Sequence, residues 1–296
     1  MAKILTGKEV AEALNARKAA DVEKLKLRGI IPTLCIFRVG NRADDISYEK
    51  GAMKRAKKIG VAVKQIILPE EVREDVFEAE LKKANEDPLV HGILLFRPLP
   101  PQLDGERARR MLNPAKDIDG STDISQAGVF TGSQSGFPPC TAEAVMEILR
   151  FYGIDPAGKR AVVIGRSLVI GRPAAMMLMQ KNATVTVCHT HTMDIASIAQ
   201  KADILVTATG KLRSVTPEFV KPDQVIIDVG IAWDEEKGRI AGDVDFDRVE
   251  PLAGAISPVP GGVGTVTTSV LIGHVVEAAV KMSRYREEQF AVFDEE

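Results

Sequence analysis

The sequence predicts an α/β protein with two α/β domains, the second a Rossmann-like, doubly wound parallel sheet. Short apolar runs alternate with helical patterns before residue 100, and the alternation starts again at Arg160. The apolar run at 161–164 ends in Gly165, and Gly171 and Pro173 follow where a helix begins. A buried parallel strand passes into a helix in this way, and we expect a cleft between the two domains.

Composition narrows the class of protein. The 296 residues are 45% hydrophobic and 27% charged, which is typical of a globular protein with a large core. A formal net charge of −2 provides no basic field that would attract nucleic acid or an acidic membrane surface. The three cysteines lie far apart, match no zinc spacing and fit a reducing compartment. We find no signal-peptide pattern and no apolar run long enough to cross a bilayer, and we therefore expect a cytoplasmic protein without nucleic-acid, membrane or metal partners.

The first domain is predicted from a regular order of elements. Thr6 and Glu9 form a capping box, so a helix should begin there and end at Gly29. The elements that follow are a strand at 33–39, a helix to Ile59 that Gly60 caps, a strand at 61–68, a helix at 71–85 and a strand at 90–96. Residues 116–120 form a polar turn, and residues 128–139 are predicted to be irregular.

The second domain follows a connecting helix that Thr141 should cap and that runs to Tyr152. Its predicted strands are 161–164, 184–188, 204–207 and 225–228. A loop rich in glycine and proline covers 258–264, and Thr267 is predicted to cap a last helix that runs to about Arg284. We assign residues 1–140 and 266–296 to the first domain and residues 141–265 to the second.

The glycine turn is a candidate phosphate site, because the first N–H groups of a helix and its dipole favour an anion. A standard dinucleotide motif has three glycines, whereas only Gly165 and Gly171 are present here, so a strand-to-helix turn without a ligand is the alternative. The strand at 184–188 ends without the carboxylate that holds the ribose of NAD. Arg166 and Thr190 lie where a 2′-phosphate would bind. We therefore predict NADP as the cofactor, with NAD possible.

His189 and His191 raise the question of a metal site. Two histidines without a partnering cysteine or acidic residue at a metal-site spacing are too few ligands for a metal ion. We interpret them as histidines at the surface or at the edge of the cofactor site.

Several motifs occur in a fixed order along nearly the whole chain. They are Tyr48 in the second helix, residues 92–100 ending in Pro-Leu-Pro, residues 116–120, residues 165–173, residues 228–231, residues 242–244 and residues 258–264. With these motifs the chain resembles the bifunctional methylenetetrahydrofolate dehydrogenase/methenyltetrahydrofolate cyclohydrolase family, called FolD in bacteria. The spacing of Gly165 and Gly171 is the spacing found in that family.

The resemblance implies oxidation of 5,10-methylenetetrahydrofolate to the 5,10-methenyl form in one-carbon metabolism, with hydride transfer to NAD(P), and a homodimer. It implies that Tyr48 and Asp119 are catalytic, Tyr48 orienting the folate and Asp119 accepting two hydrogen bonds from the pterin edge. Taken singly, they are equally well a half-buried aromatic residue and a turn residue. The further residues predicted to bind substrate are Arg97, Pro260, Gly261 and Gly262. The residues predicted to bind the cofactor are Gly165, Arg166, Ser167, Gly171, Thr190, Gly210, Ile231 and Thr267.

The chain departs from the family at two linked positions. The family has a lysine, four residues after the tyrosine, with the central role in the cyclohydrolase step, and a glutamine that hydrogen-bonds this lysine. Here these positions are Ala52 and Phe96. Around a helix, position 52 lies about 40° from Tyr48, whereas Lys50 and Lys54 lie about 200° and about 240° away. Neither lysine is therefore expected to replace the missing one.

Three functions stay open on this basis. The first is an NADP-linked methylenetetrahydrofolate dehydrogenase with doubtful cyclohydrolase activity, in which Arg97 either contacts substrate, replaces the lost positive charge or is a surface arginine. The second is the complete bifunctional enzyme, which gives 10-formyltetrahydrofolate with another group as base. The third is a non-catalytic nucleotide-binding regulator, and Asp119 and Tyr48 argue against it because a protein that binds only the cofactor needs no pterin site.

Overall fold

The computed structural model describes residues 1–133 and 135–293, with side chains described as far as residue 284. The strands are β1 (Lys3–Ile4), β2 (Thr33–Val39), β3 (Ala62–Leu68), β4 (Gly92–Leu95), β5 (Arg160–Ile164), β6 (Thr184–Cys188), β7 (Ile204–Thr207), β8 (Val225–Asp228), β9 (Ala232–Asp234), β10 (Arg239–Ala241) and β11 (Ala255–Ile256). The helices are α1 (Gly7–Leu27), α2 (Ala43–Ile59), α3 (Glu74–Glu86), α4 (Gly105–Met111), α5 (Asp123–Thr131), α6 (Cys140–Phe151), α7 (Gly171–Gln180), α8 (Ile195–Ala199), α9 (Phe246–Val249) and α10 (Val263–Phe293).

The chain divides into two compact units. The six-stranded unit comprises Met1–Glu12, Val129–Gly132 and Pro139–Thr267. The three-stranded unit comprises Ala13–Gly128, Ser133–Pro138 and Thr268–Glu296. Both units alternate strands and helices around a parallel sheet, so the predicted fold class of two α/β domains is confirmed.

The six-stranded unit is built on a sheet with the order β1-β11-β8-β7-β5-β6, in which every neighbouring pair is parallel. The apolar side chains of its central strands are buried, as in Val162, Leu205 and Ile226. Strand β5 pairs with β6 on one side and with β7 on the other, so the order in which strands are added to the sheet changes side at β5. Ligands bind at such a point in open α/β sheets.

The first strand lies in the six-stranded unit, because β1 pairs with β11 at Lys3↔Ala255 and Ile4↔Ile256. The predicted boundaries assign these residues to the other domain. A strand of two residues carries too little pattern to be detected in the sequence, and its partner is about 250 residues away.

The three-stranded unit contains a parallel sheet with the order β3-β2-β4. Its core is apolar and includes Phe37 and Phe77, whose rings pack edge to face with centroids 5.4 Å apart. Helix α2 ends as predicted at Gly60, whose φ of 83° is the left-handed conformation that favours glycine.

Several predicted helix boundaries were wrong, including the start of α3, which is Glu74 instead of residue 71, and the end of α10, which is Phe293 instead of about Arg284. Helix α10 begins at Val263, so Thr267 lies inside it and its hydroxyl donates to the Val263 carbonyl (3.1 Å) instead of capping. Helix α6 begins at Cys140 after Pro139, one residue before the predicted cap. Helix α5 extends to Thr131, into the segment predicted to be irregular.

A stretch of α10 contradicts the prediction that no apolar segment is long enough to cross a membrane. Val263–Arg284 is long and apolar enough by length and composition, and 72% of its most apolar part is buried inside the protein. Core helices of soluble proteins pass the same test when they are mostly buried.

Candidate functional site

The glycine turn after β5 is the centre of the candidate cofactor site. Gly165 has φ 130°, and a Cβ there would lie 2.5 Å from the carbonyl oxygen of Ala208 at the end of the neighbouring strand. A Cβ on Gly171 would collide with the carbonyl of Gly165. Both positions therefore require glycine, because the turn folds back on itself and on the next strand before α7 begins.

A cavity of about 440 Å³ lies over this turn, at the carboxyl ends of β5, β6 and β7. Four of the predicted cofactor residues line it, namely Gly165, Arg166, Ser167 and Thr190. The wall also includes His189, which was interpreted as a histidine at the surface or at the edge of the cofactor site. The residues of the wall that were not predicted are Ile164, Ile195, Ala208, Thr209, Lys211, Ser214, Val215 and Phe219. Lys211 adds a second cation to that of Arg166, and its place just after β7 was the signal in the sequence that could have identified it.

The other predicted cofactor residues do not line this cavity. Gly171 begins α7 behind the turn, Gly210 lies between two lining residues, Ile231 is exposed, and Thr267 is buried in α10. Their roles in binding the cofactor stay predictions.

The chain is apolar at the two positions where it departs from the family, Ala52 on α2 and Phe96 directly after β4. The Tyr48 ring meets the ring of Phe96 edge to face, with centroids 6.0 Å apart and an interplanar angle of 86°. Ala52 is completely buried. Lys50 and Lys54 are exposed, in agreement with the predicted helix geometry.

The same helix carries a buried ion pair that the sequence reasoning missed. Nε of Arg38 on β2 donates to Glu49 (2.7 Å), and both side chains are less than one tenth exposed. Arg38 also donates to the Gly40 carbonyl and to Asn41, while Gln65 on β3 donates to Glu49. Helix α2 is therefore fixed to the sheet by charge one residue away from Tyr48.

The turn that carries Asp119 lies beside β4, which leads directly to Phe96. The Ile93 N–H donates to the Lys116 carbonyl (2.7 Å), and Asp117 continues the strand pairing next to Ile93. The buried Asp117 carboxylate accepts four hydrogen bonds, which come from the N–H and hydroxyl of Ser121, the N–H of Thr122 and the hydroxyl of Ser125.

A residue of α10 also contacts this turn. Nδ1 of the buried His274 lies 2.7 Å from the carbonyl oxygen of Ile118. The imidazole packs on the Phe137 ring with centroids 4.9 Å apart, and the Lys281 ammonium lies 4.5 Å from the centre of that ring. Asp119 itself is half-buried.

Of the other residues predicted to bind substrate, Arg97 is exposed directly after Phe96. Pro260 and Gly261 are exposed at the start of α10, and Gly262 is buried. This loop is held by the Gly7 N–H, which donates to the Gly261 carbonyl (2.7 Å). The structure thus brings Tyr48, Phe96 and Arg97 to one end of the three-stranded sheet and the glycine turn to one end of the six-stranded sheet.

Comparison with known proteins identifies the family. The model for the tetrahydrofolate dehydrogenase/cyclohydrolase catalytic domain matches residues 5–119, and the model for the NAD(P)-binding domain of the same family matches residues 139–283. The bifunctional protein FolD of Alkaliphilus oremlandii is 48% identical over 278 residues, which cover 94% of this chain and 97% of that protein.

Solved structures agree with this result. The bifunctional FolD enzyme of Campylobacter jejuni has a TM-score of 0.92 at 34% identity and covers 95% of this chain and 99% of its own. The FolD enzyme of Trypanosoma brucei, solved with NADP and an inhibitor, has a TM-score of 0.89 at 35% identity, with 96% and 99% covered. The resemblance deduced from the motifs is confirmed, and the chain belongs to the tetrahydrofolate dehydrogenase/cyclohydrolase family of NAD(P)-binding enzymes.

Proposed function

We propose that this protein oxidises 5,10-methylenetetrahydrofolate to 5,10-methenyltetrahydrofolate with NADP⁺, and that it lacks an efficient cyclohydrolase. One observation carries the second part of the proposal. Ala52, one turn after Tyr48 on α2, is a buried methyl group, and the ring of Phe96 packs on Tyr48, where the family has an ammonium group and an amide.

The residues around the glycine turn fit a dinucleotide phosphate. Gly165, Arg166 and Ser167 line the cavity directly before α7, so the backbone of this turn can approach a ligand. Arg166 and Lys211 place two cations at the wall of the cavity, and β6 ends at Cys188 and is followed by His189 rather than by a carboxylate. Bound NADP⁺ supplies the hydride acceptor. The FolD structure from Trypanosoma brucei, which contains NADP, supports the same choice for this chain.

On the folate side, the chain has to hold the substrate rather than to move a proton. We assign to Asp119 the acceptance of hydrogen bonds from the amino-pyrimidine edge, because a carboxylate accepts two such bonds in one plane. We assign to Tyr48 the orientation of the folate ring. Hydride transfer between two correctly placed carbon atoms depends mainly on positioning, so these residues suffice for the dehydrogenase step.

Cyclohydrolysis, unlike hydride transfer, requires groups in the site that transfer protons. Water must attack the methenyl carbon, and a group must accept and deliver protons. An alanine and a phenylalanine offer no proton donor or acceptor, and the exposed Lys50 and Lys54 lie on the opposite face of α2. The paired loss is physically consistent, because a single buried glutamine without its lysine would be an unpaired polar group.

We further propose that the protein works in the cytoplasm as a homodimer. The family resemblance supports the dimer, and the sparse, separated cysteines support a reducing compartment. Sedimentation of the purified protein at several concentrations tests the assembly, and a monomer at all of them would contradict it.

The function is tested by following NADPH and methenyltetrahydrofolate together in one reaction with methylenetetrahydrofolate and NADP⁺. We expect both to rise in step, because the oxidised product leaves without hydrolysis. The control is the decay of methenyltetrahydrofolate in a matched reaction without enzyme. Hydrolysis of added methenyltetrahydrofolate faster than this control would show that another group replaces the lysine.

A thermal-shift experiment distinguishes the proposed dehydrogenase from the alternative, a non-catalytic nucleotide-binding regulator. Stabilisation by NADP⁺ without stabilisation by folate, together with no NADPH formation, would favour a non-catalytic nucleotide-binding protein over the proposed dehydrogenase.

A further inference from the structure

Two buried carboxylates lie at the carboxyl end of the six-stranded sheet, and neither belongs to the residues predicted to bind cofactor or substrate. Asp228 is the last residue of β8, and Asp243 follows β10 by two residues. Their exposed fractions are 3% and 1%. A buried carboxylate is costly unless several donors satisfy it, so each position needs an explanation.

Asp243 is bonded to the segment that forms one wall of the cofactor cavity. It accepts hydrogen bonds from the Thr207 hydroxyl (3.0 Å), the Thr209 N–H and the Lys211 N–H (3.2 Å). Thr209 and Lys211 both line the cavity, with Gly210 between them. The carboxylate therefore fixes the backbone on both sides of Gly210.

Asp228 continues the same network to two further segments. Its carboxylate accepts the N–H groups of Gly230 (3.0 Å), Asp243 (3.1 Å) and Val244 (3.0 Å). Its own N–H donates to the hydroxyl of Ser257 (2.8 Å), which directly precedes the loop at 258–264. The two carboxylates thus connect the segment after β7, the turn that leads to Ile231 and the segment at 242–244.

Close packing makes this arrangement specific. A Cβ on Gly230 would collide with the carboxylate of Asp243, and a Cβ on Gly242 would collide with the carboxylate of Asp228. Each carboxylate therefore lies directly against the glycine beside the other. Such reciprocal packing leaves little freedom for the backbone that carries Thr209, Lys211 and Ile231.

We propose that Asp243, supported by Asp228, is a positioning residue for the nicotinamide cofactor. It holds the segment at 209–211 and the turn before Ile231 in the geometry that binds the dinucleotide. Neither carboxylate is assigned a contact with the ligand, and both act through backbone N–H groups. The inference rests on the proposed use of NADP and adds the residues that shape its site.

The test measures the Kd of NADPH by energy transfer from Trp233, the single tryptophan of the chain, which is exposed two residues after Ile231. In Asp243→Asn, an amide NH₂ replaces an acceptor and meets N–H donors. We expect the Kd of NADPH to rise about tenfold, with kcat at saturating cofactor little changed. Thr207→Val removes one donor and should raise the Kd about threefold, whereas Thr207→Ser keeps the hydroxyl and should restore wild-type affinity.

The matched control is Gln224→Met. Gln224 is completely buried at the opposite end of β8, where it donates to the carbonyls of Ala199 and Ala202, so its loss weakens the same sheet without touching the cofactor segments. We expect a lower Tm and an unchanged Kd for this variant. An equal loss of affinity in Gln224→Met, or a wild-type Kd in a folded Asp243→Asn, would overturn the proposal.

Two further outcomes separate this inference from the proposed function. If Asp243→Asn does not fold, the pair Thr207→Val and Thr207→Ser decides, and equal Kd values for the two contradict the inference. A wild-type protein that binds NADPH but does not oxidise methylenetetrahydrofolate contradicts the proposed function only, because the Kd comparison needs no folate. A wild-type protein that binds no NADPH contradicts both.

Discussion

The two units hold their functional groups by different means. In the six-stranded unit, backbone groups provide most of the contacts that position functional residues. Glycines shape the turn after β5, and backbone N–H groups donate to Asp228 and Asp243. In the three-stranded unit, side chains contact one another around Tyr48. Arg38 holds Glu49, and Tyr48 packs on Phe96.

This difference shows where the chemistry of the family can change. A site made of backbone N–H groups keeps its geometry when exposed side chains vary. A site made of side chains changes its chemistry with each substitution, as the apolar Ala52 and Phe96 illustrate. We therefore expect mutations in the three-stranded unit to alter stability and reaction outcome, and mutations in the six-stranded unit to alter mainly cofactor affinity.

The largest effect should come from breaking the buried ion pair beside Tyr48. Arg38→Met leaves the Glu49 carboxylate buried without its cation, and we expect the free energy of unfolding to fall by about 3–5 kcal/mol. The double variant Arg38→Met/Glu49→Leu removes both charges and should be clearly more stable than the single variant. Urea denaturation measures both. If the two variants unfold at the same urea concentration, the pair is not the contact that fixes α2.

A smaller, more selective effect is expected at Arg166 in the glycine turn. Arg166→Ala should raise the KM for NADP⁺ about tenfold, because one hydrogen bond between a cation and a phosphate is lost, and leave the KM for NAD⁺ nearly unchanged. Lys181→Ala, just after the far end of α7, is the matched exposed control. Initial rates with each cofactor provide the measurement. An equal rise of both KM values would place Arg166 away from the 2′-phosphate.

The smallest expected effect is on the pH dependence of Tm, and it tests whether the buried Asp228 is protonated in the folded protein. Burial, opposed by N–H donors and reinforced by Asp243, raises the pKa of Asp228 to about 7. Its protonated form therefore stabilises the folded state fully at low pH, and this contribution is lost as the pH rises through about 7.

Between pH 5 and pH 8, the Tm of wild type should therefore decrease by a few degrees more than the Tm of Asp228→Asn, which has no group to ionise at this position. Differential scanning calorimetry of both proteins at each pH measures this difference. Parallel pH profiles would show that Asp228 stays in one protonation state over this range.

The sequence predicted four strands of the six-stranded sheet, β5 to β8, within a residue. Three of them, β5, β7 and β8, lie inside the sheet, where buried parallel strands are continuous apolar runs bounded by turn residues. It also predicted the turn at Gly165, whose glycine is required by close approach to Ala208. The exposed positions of Lys50 and Lys54 followed from helical geometry alone.

What the sequence did not reveal depends on distant partners. Arg38 and Glu49 look like surface charges until β2 and α2 pack together. Asp243 belongs to a segment with no periodic pattern, and its donors lie more than 30 residues away. Thr267 looked like a helix cap because its residue type favours that position, yet the helix begins one turn earlier, at Val263.

The pairing of β1 with β11 has a consequence for how the protein is made. Lys3 and Ala255 are neighbours in the sheet, so the ribosome must synthesise most of the polypeptide before the first strand can find its partner. Until β11 is synthesised, β1 has no strand with which to pair. A fragment that begins at residue 139 would lack β1 and leave the side of β11 open to pairing with another chain. Tags and truncations at the amino terminus therefore act on the unit that holds the nucleotide, although almost the whole chain separates them in sequence.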